Sequence, residues 1–360
     1  MKELNAKAVS QNINTVGMFD LNKGILMVLV VFGHSFSMFV KYWERENMPG
    51  WIILPLLLFG LVLYGLIPMF FLMSGYGFRK QKMTKCFADR VRYLLKPYLW
   101  VAVIVTGLVV LKAIIRNKSV LDAVMKYGFP FLIGLCPGET EVFGWYIASI
   151  GPMWFLVAMG IGWIILNLLF QMKTEALRIV TLLALIALCT QLPFYAFIPL
   201  CIVQSICCAG YLYLGYCVKK SRLLTKALSW KTYAILIIIV VGAFLFGTVD
   251  VSQNVWKLGF FDYIASAIAG VLLCKMSVRF GGLEGKIAKF FRVLGRNSLY
   301  IFCVHTVEYL VFPWNRLYQW FSDCPWLGIL VVFLVRVLII AVGCIAIHKL
   351  VMLSRHRKRR

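Results

Sequence analysis

The fold of this chain is decided by residues 19–34, FDLNKGILMVLVVFGH. They open the first apolar segment that can cross a bilayer, for which a helix needs about 20 residues. Lys23 and His34 are eleven positions apart, so on a helix they share a face within about 20° and lie about 16 Å apart along its axis. An ionisable group inside a membrane helix is costly and indicates a functional site by default.

Composition places most of the chain in lipid. Of its 360 residues 62% are apolar and 14% are charged, whereas a soluble domain is about 25% charged. The net charge of +24 comes from basic residues between apolar runs, so we expect no nucleic-acid partner. The 11 cysteines form no Cys-x-x-Cys pair, and we expect no metal site.

The apolar runs predict an all-α polytopic membrane protein of about ten transmembrane helices. Most Lys and Arg residues fall in alternate connections between these runs, which lie on the same side of the membrane, so the positive-inside rule predicts that both termini are cytoplasmic. We expect a cytoplasmic segment at 1–23, a membrane domain at 24–350 and a basic tail at 351–360. The predicted spans are 24–43, 51–78, 95–115, 147–170, 177–197, 199–218, 231–249, 259–275, 294–313 and 326–350.

Four His, Glu or Arg residues lie well inside these spans, away from their ends: His34, His305, Glu308 and Arg336. His34 and His305 are predicted at similar depth, about ten and eleven residues from the inner face, and a bundle can bring them together. Each is either a polar core group that bonds two helices or part of a functional site. Glu308 and Arg336 are predicted to form a structural ion pair across neighbouring helices.

Two connections carry candidate binding surfaces. The inner segment 79–98 is rich in Lys and Arg, which suits either anionic lipid headgroups or a phosphate-rich cytoplasmic ligand. The connection 116–146 is the largest on the outside. It offers carboxylates and aromatic rings suited to a saccharide, namely Glu139, Glu141, Phe143, Trp145 and Tyr146.

Five motifs in order resemble the acyltransferase-3 family of integral-membrane acyltransferases, and particularly its fucose 4-O-acetylase-like members. The first motif runs from Asp20 through Lys23-Gly24 to Gly33-His34. The others are Pro68-Met69-Phe70-Phe71-Leu72-Met73-Ser74-Gly75-Tyr76, Arg90-Val91-Arg92-Tyr93-Leu94-Leu95-Lys96-Pro97-Tyr98, Gly151-Pro152-Met153-Trp154-Phe155-Leu156 and Leu294-Gly295-Arg296-Asn297-Ser298-Leu299-Tyr300-Ile301-Phe302 with His305.

The resemblance implies a multi-pass protein of the bacterial plasma membrane. Its substrates would be cytoplasmic acyl-CoA, expected to be acetyl-CoA, and a sugar hydroxyl of an envelope glycan or its lipid-linked precursor. The essential histidine of the family maps onto His34 and its first-helix cation onto Lys23, where the commoner residue is Arg. Lys lacks the bidentate geometry with which Arg binds phosphate. The resemblance implies no bound cofactor, and the oligomeric state stays open.

These residues suggest a mechanism. Neutral imidazole at His34 would be the general base that removes the proton of the acceptor hydroxyl. Three cations, Lys23, Arg90 and Arg92, would bind the CoA phosphates. The remaining motif residues are candidates for contacts with substrate or with the oxyanion, namely Asp20, Ser74, Tyr76, Trp154, Asn297, Ser298 and His305.

Two other functions use the same residues. In a transporter, the intramembrane histidines and Glu308 would relay protons or line a path, but the internal repeats common in transporters are not apparent in the sequence. A component of polysaccharide export without its own catalysis is the other alternative. The motif residues His34 and Lys23 are both present, which favours the enzyme.

Overall fold

The structure is a computed structural model and describes residues 14–40, 50–135, 140–142, 144–192 and 198–357. Helices dominate these residues, with two short antiparallel hairpins between them. The helices are α1 (Asp20–Val40), α2 (Gly50–Tyr76), α3 (Met83–Arg90), α4 (Lys96–Ile115), α5 (Val120–Tyr127), α6 (Phe129–Ile133), α7 (Trp154–Leu169), α8 (Glu175–Gln191), α9 (Ile202–Lys220), α10 (Trp230–Phe246), α11 (Phe260–Phe280), α12 (Lys286–Arg296), α13 (Ser298–Val311), α14 (Trp314–Gln319) and α15 (Pro325–Arg357). The strands are β1 (Thr140–Val142), β2 (Trp145–Ile147), β3 (Val249–Asp250) and β4 (Val255–Trp256).

The predicted all-α membrane architecture is confirmed. In the described part of the chain, six segments are helical, long and apolar enough to cross a bilayer: Leu54–Tyr76, Met83–Ile115, Gly151–Leu169, Pro199–Lys220, Phe260–Phe280 and Pro325–Lys349. The other four predicted spans coincide with helices α1, α8, α10 and α13, of 21, 17, 17 and 14 residues. Ten membrane crossings therefore stay a prediction.

The basic segment 79–98, predicted as a connection, is helical from Met83 onward. Helix α3 continues through a π-helical turn, Val91–Leu95, into α4. Pro97 explains the wider turn, because proline has no N–H to donate to the carbonyl four residues earlier, which is that of Tyr93. Arg90 and Arg92 are thereby fixed on a helix that leads directly into the membrane.

The connection 116–146 is also ordered where it is described. Ser119 caps α5 by accepting the N–H of Asp122 at 3.2 Å, as serine commonly does at a helix start. Strands β1 and β2 then pair Glu141 with Tyr146. Two of the residues predicted to contact a saccharide, Glu139 and Phe143, lie outside the described residues.

The chain forms two compact units. The described residues of the first lie within 14–15 and 56–282, and those of the second lie within 16–55 and 283–357. Helix α9 packs against α7 and α8 in the first unit, and α1 packs against α12, α13 and α15 in the second. Helical structure extends beyond the predicted domain edges, since α1 begins at Asp20 and α15 ends at Arg357.

Glycines allow close helix contacts in each unit. A Cβ on Gly24 would collide with the backbone carbonyl of Phe291, and one on Gly295 with that of Asp20. In the first unit, a Cβ on Gly75 would likewise collide with the carbonyl of Leu212. Membrane helices approach this closely where small residues remove the side-chain barrier. The motif glycines therefore have a packing role.

Candidate active site

Helix α1 holds Lys23 and His34 on one continuous helix, as the sequence predicts. The backbone N–H of Asp20 donates to the carbonyl of Gly17 at 2.9 Å and that of Lys23 to the carbonyl of Phe19 at 2.9 Å, which closes the first turn. An acidic residue in this turn complements the positive end of the helix dipole. Lys23 therefore lies at the helix start, with His34 about 16 Å further along the axis.

His34 contacts a second histidine. Its imidazole centroid lies 5.3 Å from that of His305 on α13, with 39° between the two ring planes. The ring of Tyr309, one turn further along α13, has its centroid 5.0 Å from that of His34. His305 is fully buried, whereas His34 is partly exposed. The more accessible imidazole of the pair is thus the one predicted to be catalytic.

His305 is anchored by a carboxylate. Its Nδ1 lies 2.6 Å from Oε1 of Glu308, three residues along the same helix. Because an ionised carboxylate only accepts hydrogen bonds, Nδ1 carries the shared proton and donates it. Nε2 of His305 is buried and meets no hydrogen-bond partner within the described residues. This nitrogen is therefore available for a hydrogen bond with another group.

Arg336 on α15 balances the charge of Glu308. Its Nη1 donates to Oε1 of Glu308 at 3.2 Å, and both side chains are almost fully buried. The guanidinium carbon lies 4.3 Å from the ring centroid of Trp314, while the Trp314 indole N–H donates to the backbone carbonyl of Glu308 at 3.0 Å. The predicted ion pair between Glu308 and Arg336 is therefore present. The Glu308 carboxylate of this pair also orients His305.

A second group of predicted residues lies at the start of α1. Arg296 Nε donates to Oδ2 of Asp20 at 3.0 Å, joining α12 to α1. The Asn297 side-chain amide donates to the carbonyl of Val293 at 2.8 Å, and Ser298 begins α13. His305 is seven residues beyond Ser298, which is about 10 Å along the helix. The structure therefore does not bring Asn297 and Ser298 to the pair of histidines.

The first unit carries its own cluster of cations and rings. The Arg90 guanidinium carbon lies 4.6 Å from the ring centroid of Trp163, and the Trp163 indole N–H donates to Oγ of Ser74 at 3.2 Å. The Tyr76 hydroxyl donates to Oδ1 of Asn14 at 2.7 Å, and Lys219 Nζ lies 5.6 Å from the Tyr76 ring. Cation–π geometry of this kind places positive charge beside flat apolar surface.

Two further predicted residues stand apart from this cluster. Arg92 is exposed, with its guanidinium carbon 5.5 Å from the ring of Tyr93. Trp154 is buried at the start of α7, where its ring meets that of Phe155 edge-on at 6.1 Å between centroids. Trp154 is therefore packed as a core residue.

Sequence reasoning missed three residues that complete these clusters. Tyr309 and Trp163 lie inside apolar runs, where an aromatic residue is ordinarily part of the core. Arg178 lies near the start of α8, and its guanidinium carbon is 3.9 Å from the ring centroid of Phe170. A signal for Tyr309 was available, because it lies four positions from His305 and so shares its helix face.

No group of three or more His, Cys, Asp or Glu side chains suited to binding a metal ion occurs among the residues that the structure describes. What the buried cluster does offer is an imidazole pair next to a carboxylate, an arrangement suited to accepting and passing protons.

A comparison with protein families decides the class of chemistry. The family model for the acyltransferase-3 acyltransferase domain matches residues 17–348. The chain belongs to the acyltransferase-3 family. No curated protein and no solved structure matches it significantly. The activity of this acyltransferase is thus acyl transfer, and its matched region contains both the histidine pair and the cation–aromatic cluster.

Proposed function

We propose that this membrane acyltransferase moves an acyl group, most simply acetyl, from cytoplasmic acyl-CoA to a sugar hydroxyl of a cell-envelope or exopolysaccharide glycan. The observation that carries the proposal is the contact between His34 and His305, whose Nδ1 is held by Glu308. A partly exposed imidazole backed by a buried, carboxylate-bound imidazole is suited to activating a hydroxyl. A purely structural histidine needs no second ionisable group of this kind.

In the proposed reaction His34 removes the proton from the acceptor hydroxyl. The resulting oxygen attacks the thioester carbonyl, and collapse of the tetrahedral intermediate breaks the carbon–sulfur bond. The thiolate then takes the proton from His34, which leaves CoA as a free thiol and returns His34 to its neutral form. Glu308 supports the step through His305, because its carboxylate lies one imidazole away from the transient positive charge.

Cations are proposed to bind the phosphates of the donor. Lys23 lies at the start of α1, and Arg90 and Arg92 lie at the junction of α3 and α4. The buried ring of Trp163 holds the Arg90 guanidinium in place, and guanidinium groups suit phosphates. Arg178 and Lys219 lie beside further rings of the first unit and extend this positive surface.

The acceptor and the membrane topology follow from the same proposal. Ten crossings of the bacterial plasma membrane with both termini in the cytoplasm would put the cations on the side of acyl-CoA. The hairpin β1–β2 would then face outward with Glu141, Trp145 and Tyr146. Aromatic rings and carboxylates suit a saccharide, and the resemblance to fucose 4-O-acetylase-like members supports a sugar hydroxyl as the group acylated.

Radiolabelled acetyl-CoA tests this function directly. Membranes that contain the protein are incubated with the label and with glycan from the producing cell. We expect label in the glycan that mild alkali releases as acetate, which identifies an O-ester. The enzyme proposal fails if the glycan stays unlabelled while sealed vesicles accumulate unmodified glycan, because that result identifies a transporter.

A further inference from the structure

An apolar cavity of about 620 Å³ lies within the first unit, far in sequence from the histidine pair. Its walls come from α8, α9, α10 and α11. Hydrophobic side chains make up most of the lining, among them Leu182, Ile186, Leu214, Leu236, Ile264 and Val271. The volume falls within the range of cavities that hold whole small ligands. Walls of this composition favour a hydrocarbon occupant over water.

One charged side chain, Lys275, also lines the cavity. It is 4% exposed, and its Nζ donates to the backbone carbonyl of Leu223 at 2.6 Å and to that of Lys226. Across the described residues, no carboxylate lies within ion-pair distance of this ammonium group. Carbonyl oxygens satisfy its hydrogen bonds without cancelling its charge. A buried charge of this kind is costly unless an opposite charge lies nearby.

The surroundings of Lys275 add positive charge. Arg279 lies one turn further along α11, on the same helix face. The connection that Lys275 holds, between α9 and α10, carries Arg222 and Lys226. Glu175 is the acidic residue nearby, and it is already paired with Lys220 at 3.0 Å. Among the residues that the structure describes, no carboxylate therefore balances the charge of Lys275.

We propose that the cavity holds one hydrocarbon chain of an anionic phospholipid, with the phosphate of that lipid at the Lys275 end. Helices α9 and α11 are long and apolar enough to cross a bilayer, so two of the four walls of the cavity are candidate membrane spans. The basic end suits a phosphate group and attracts anionic headgroups by about fivefold per cation. The site is independent of the proposed acyl transfer.

Native mass spectrometry of the full-length protein tests the site. The protein is purified in detergent, stripped of lipid by repeated exchange, and then offered phosphatidylglycerol or phosphatidylcholine at equal concentration. We expect one phosphatidylglycerol to be retained and phosphatidylcholine to be retained at least fivefold less. Equal retention of the two lipids would overturn the assignment. Retention of a polyprenyl phosphate as the one lipid that stays bound through purification would also overturn the assignment.

Two kinds of variant test the binding of the hydrocarbon chain and the binding of the headgroup separately. Ala267→Phe fills the cavity, since Ala267 lines it, and should abolish retention of phosphatidylglycerol. Ile238→Trp is the matched control, because Ile238 lies on α10 with 69% exposure and is not part of the lining.

Arg279→Gln and Lys275→Gln should reduce the preference for phosphatidylglycerol about fivefold each. Arg279→Gln leaves the carbonyl contacts of Lys275 in place, so it reports on charge even if Lys275→Gln unfolds. Unchanged preference in Arg279→Gln together with retained lipid in Ala267→Phe would refute the proposal.

Discussion

His34 and His305 lie at opposite ends of the sequence, yet their ring centroids are 5.3 Å apart. Both residues belong to the second unit, which joins described residues within 16–55 to those within 283–357. Helix α1 therefore docks directly on α13, and the predicted catalytic base meets a histidine whose own orientation is fixed by Glu308. Each of the following predictions tests a consequence of this arrangement or of the proposed function.

His34→Ala should abolish acyl transfer while the protein still inserts and folds. Loss of a general base typically costs 10²–10⁴-fold in rate, so we expect at most about 1% of wild-type turnover. The measurement is label transferred from acetyl-CoA to glycan by purified protein. His348→Ala is the matched control, because His348 is exposed near the end of α15 and its loss should leave turnover unchanged. Turnover well above 1% in His34→Ala would remove His34 from the role of base.

Glu308→Ala should destabilise the protein more than the double variant Glu308→Ala, Arg336→Met. The single change leaves the buried Arg336 charge without its carboxylate, which typically costs about 3–5 kcal/mol. Removing both charges eliminates that penalty. Resistance to thermal aggregation in detergent measures the effect. Equal loss in the single and double variants would mean that the pair contributes little through charge.

Affinity for CoA should depend on the three cations predicted to bind its phosphates. Replacing Lys23, Arg90 or Arg92 by Gln should weaken binding and make the remaining binding less sensitive to salt. The Arg90 variant should lose the most affinity for CoA, because the Arg90 guanidinium is the one stacked on the ring of Trp163. Calorimetry in detergent measures the affinity, with Lys118→Gln as a control on the opposite predicted face. Unchanged affinity in all three variants would return these cations to contacts with lipid headgroups.

Gly24→Ala should be strongly destabilising, whereas Gly107→Ala should not. A Cβ on Gly24 collides with the Phe291 carbonyl, so α1 and α12 must separate. At Gly107 a Cβ meets no heavy atom within 4 Å, and alanine is intrinsically better than glycine in a helix by about 1 kcal/mol. Thermal unfolding of both variants, followed by circular dichroism, provides the measurement. Similar unfolding temperatures would show that α1 tolerates displacement.

The reaction should be two-sided. In sealed vesicles of known orientation, acetyl-CoA should be used only from the face that carries Arg90 and Arg92, and labelled glycan should appear on the other face. The acyl group then crosses during transfer while CoA does not. Product confined to the CoA side would mean that the acceptor also enters from the cytoplasm and that the hairpin β1–β2 is not its binding surface.

Much of the local structure could be predicted from the sequence. Apolar runs of about 20 residues form helices in lipid because each backbone group must find its partner within the segment, and helices occur at all ten predicted positions. Prediction was poorer where a proline acts at short range. The π-helical turn before Pro97 and the helix that contains Arg90 were expected to be a connection, because the basic composition of 79–98 concealed the helix.

The sequence by itself determined that Lys23 and His34 share one helix face, because the spacing of residues on a helix depends on local geometry alone. It also indicated that Glu308 and Arg336 would pair, since two opposite charges in lipid are costly apart. Only the tertiary structure decided that this pair anchors His305 and that His305 contacts His34. It also decided that Asn297 and Ser298 stay away from both. Which helices meet depends on the packing of surfaces from distant parts of the chain, such as Gly24 against Phe291, and no local pattern contains that information.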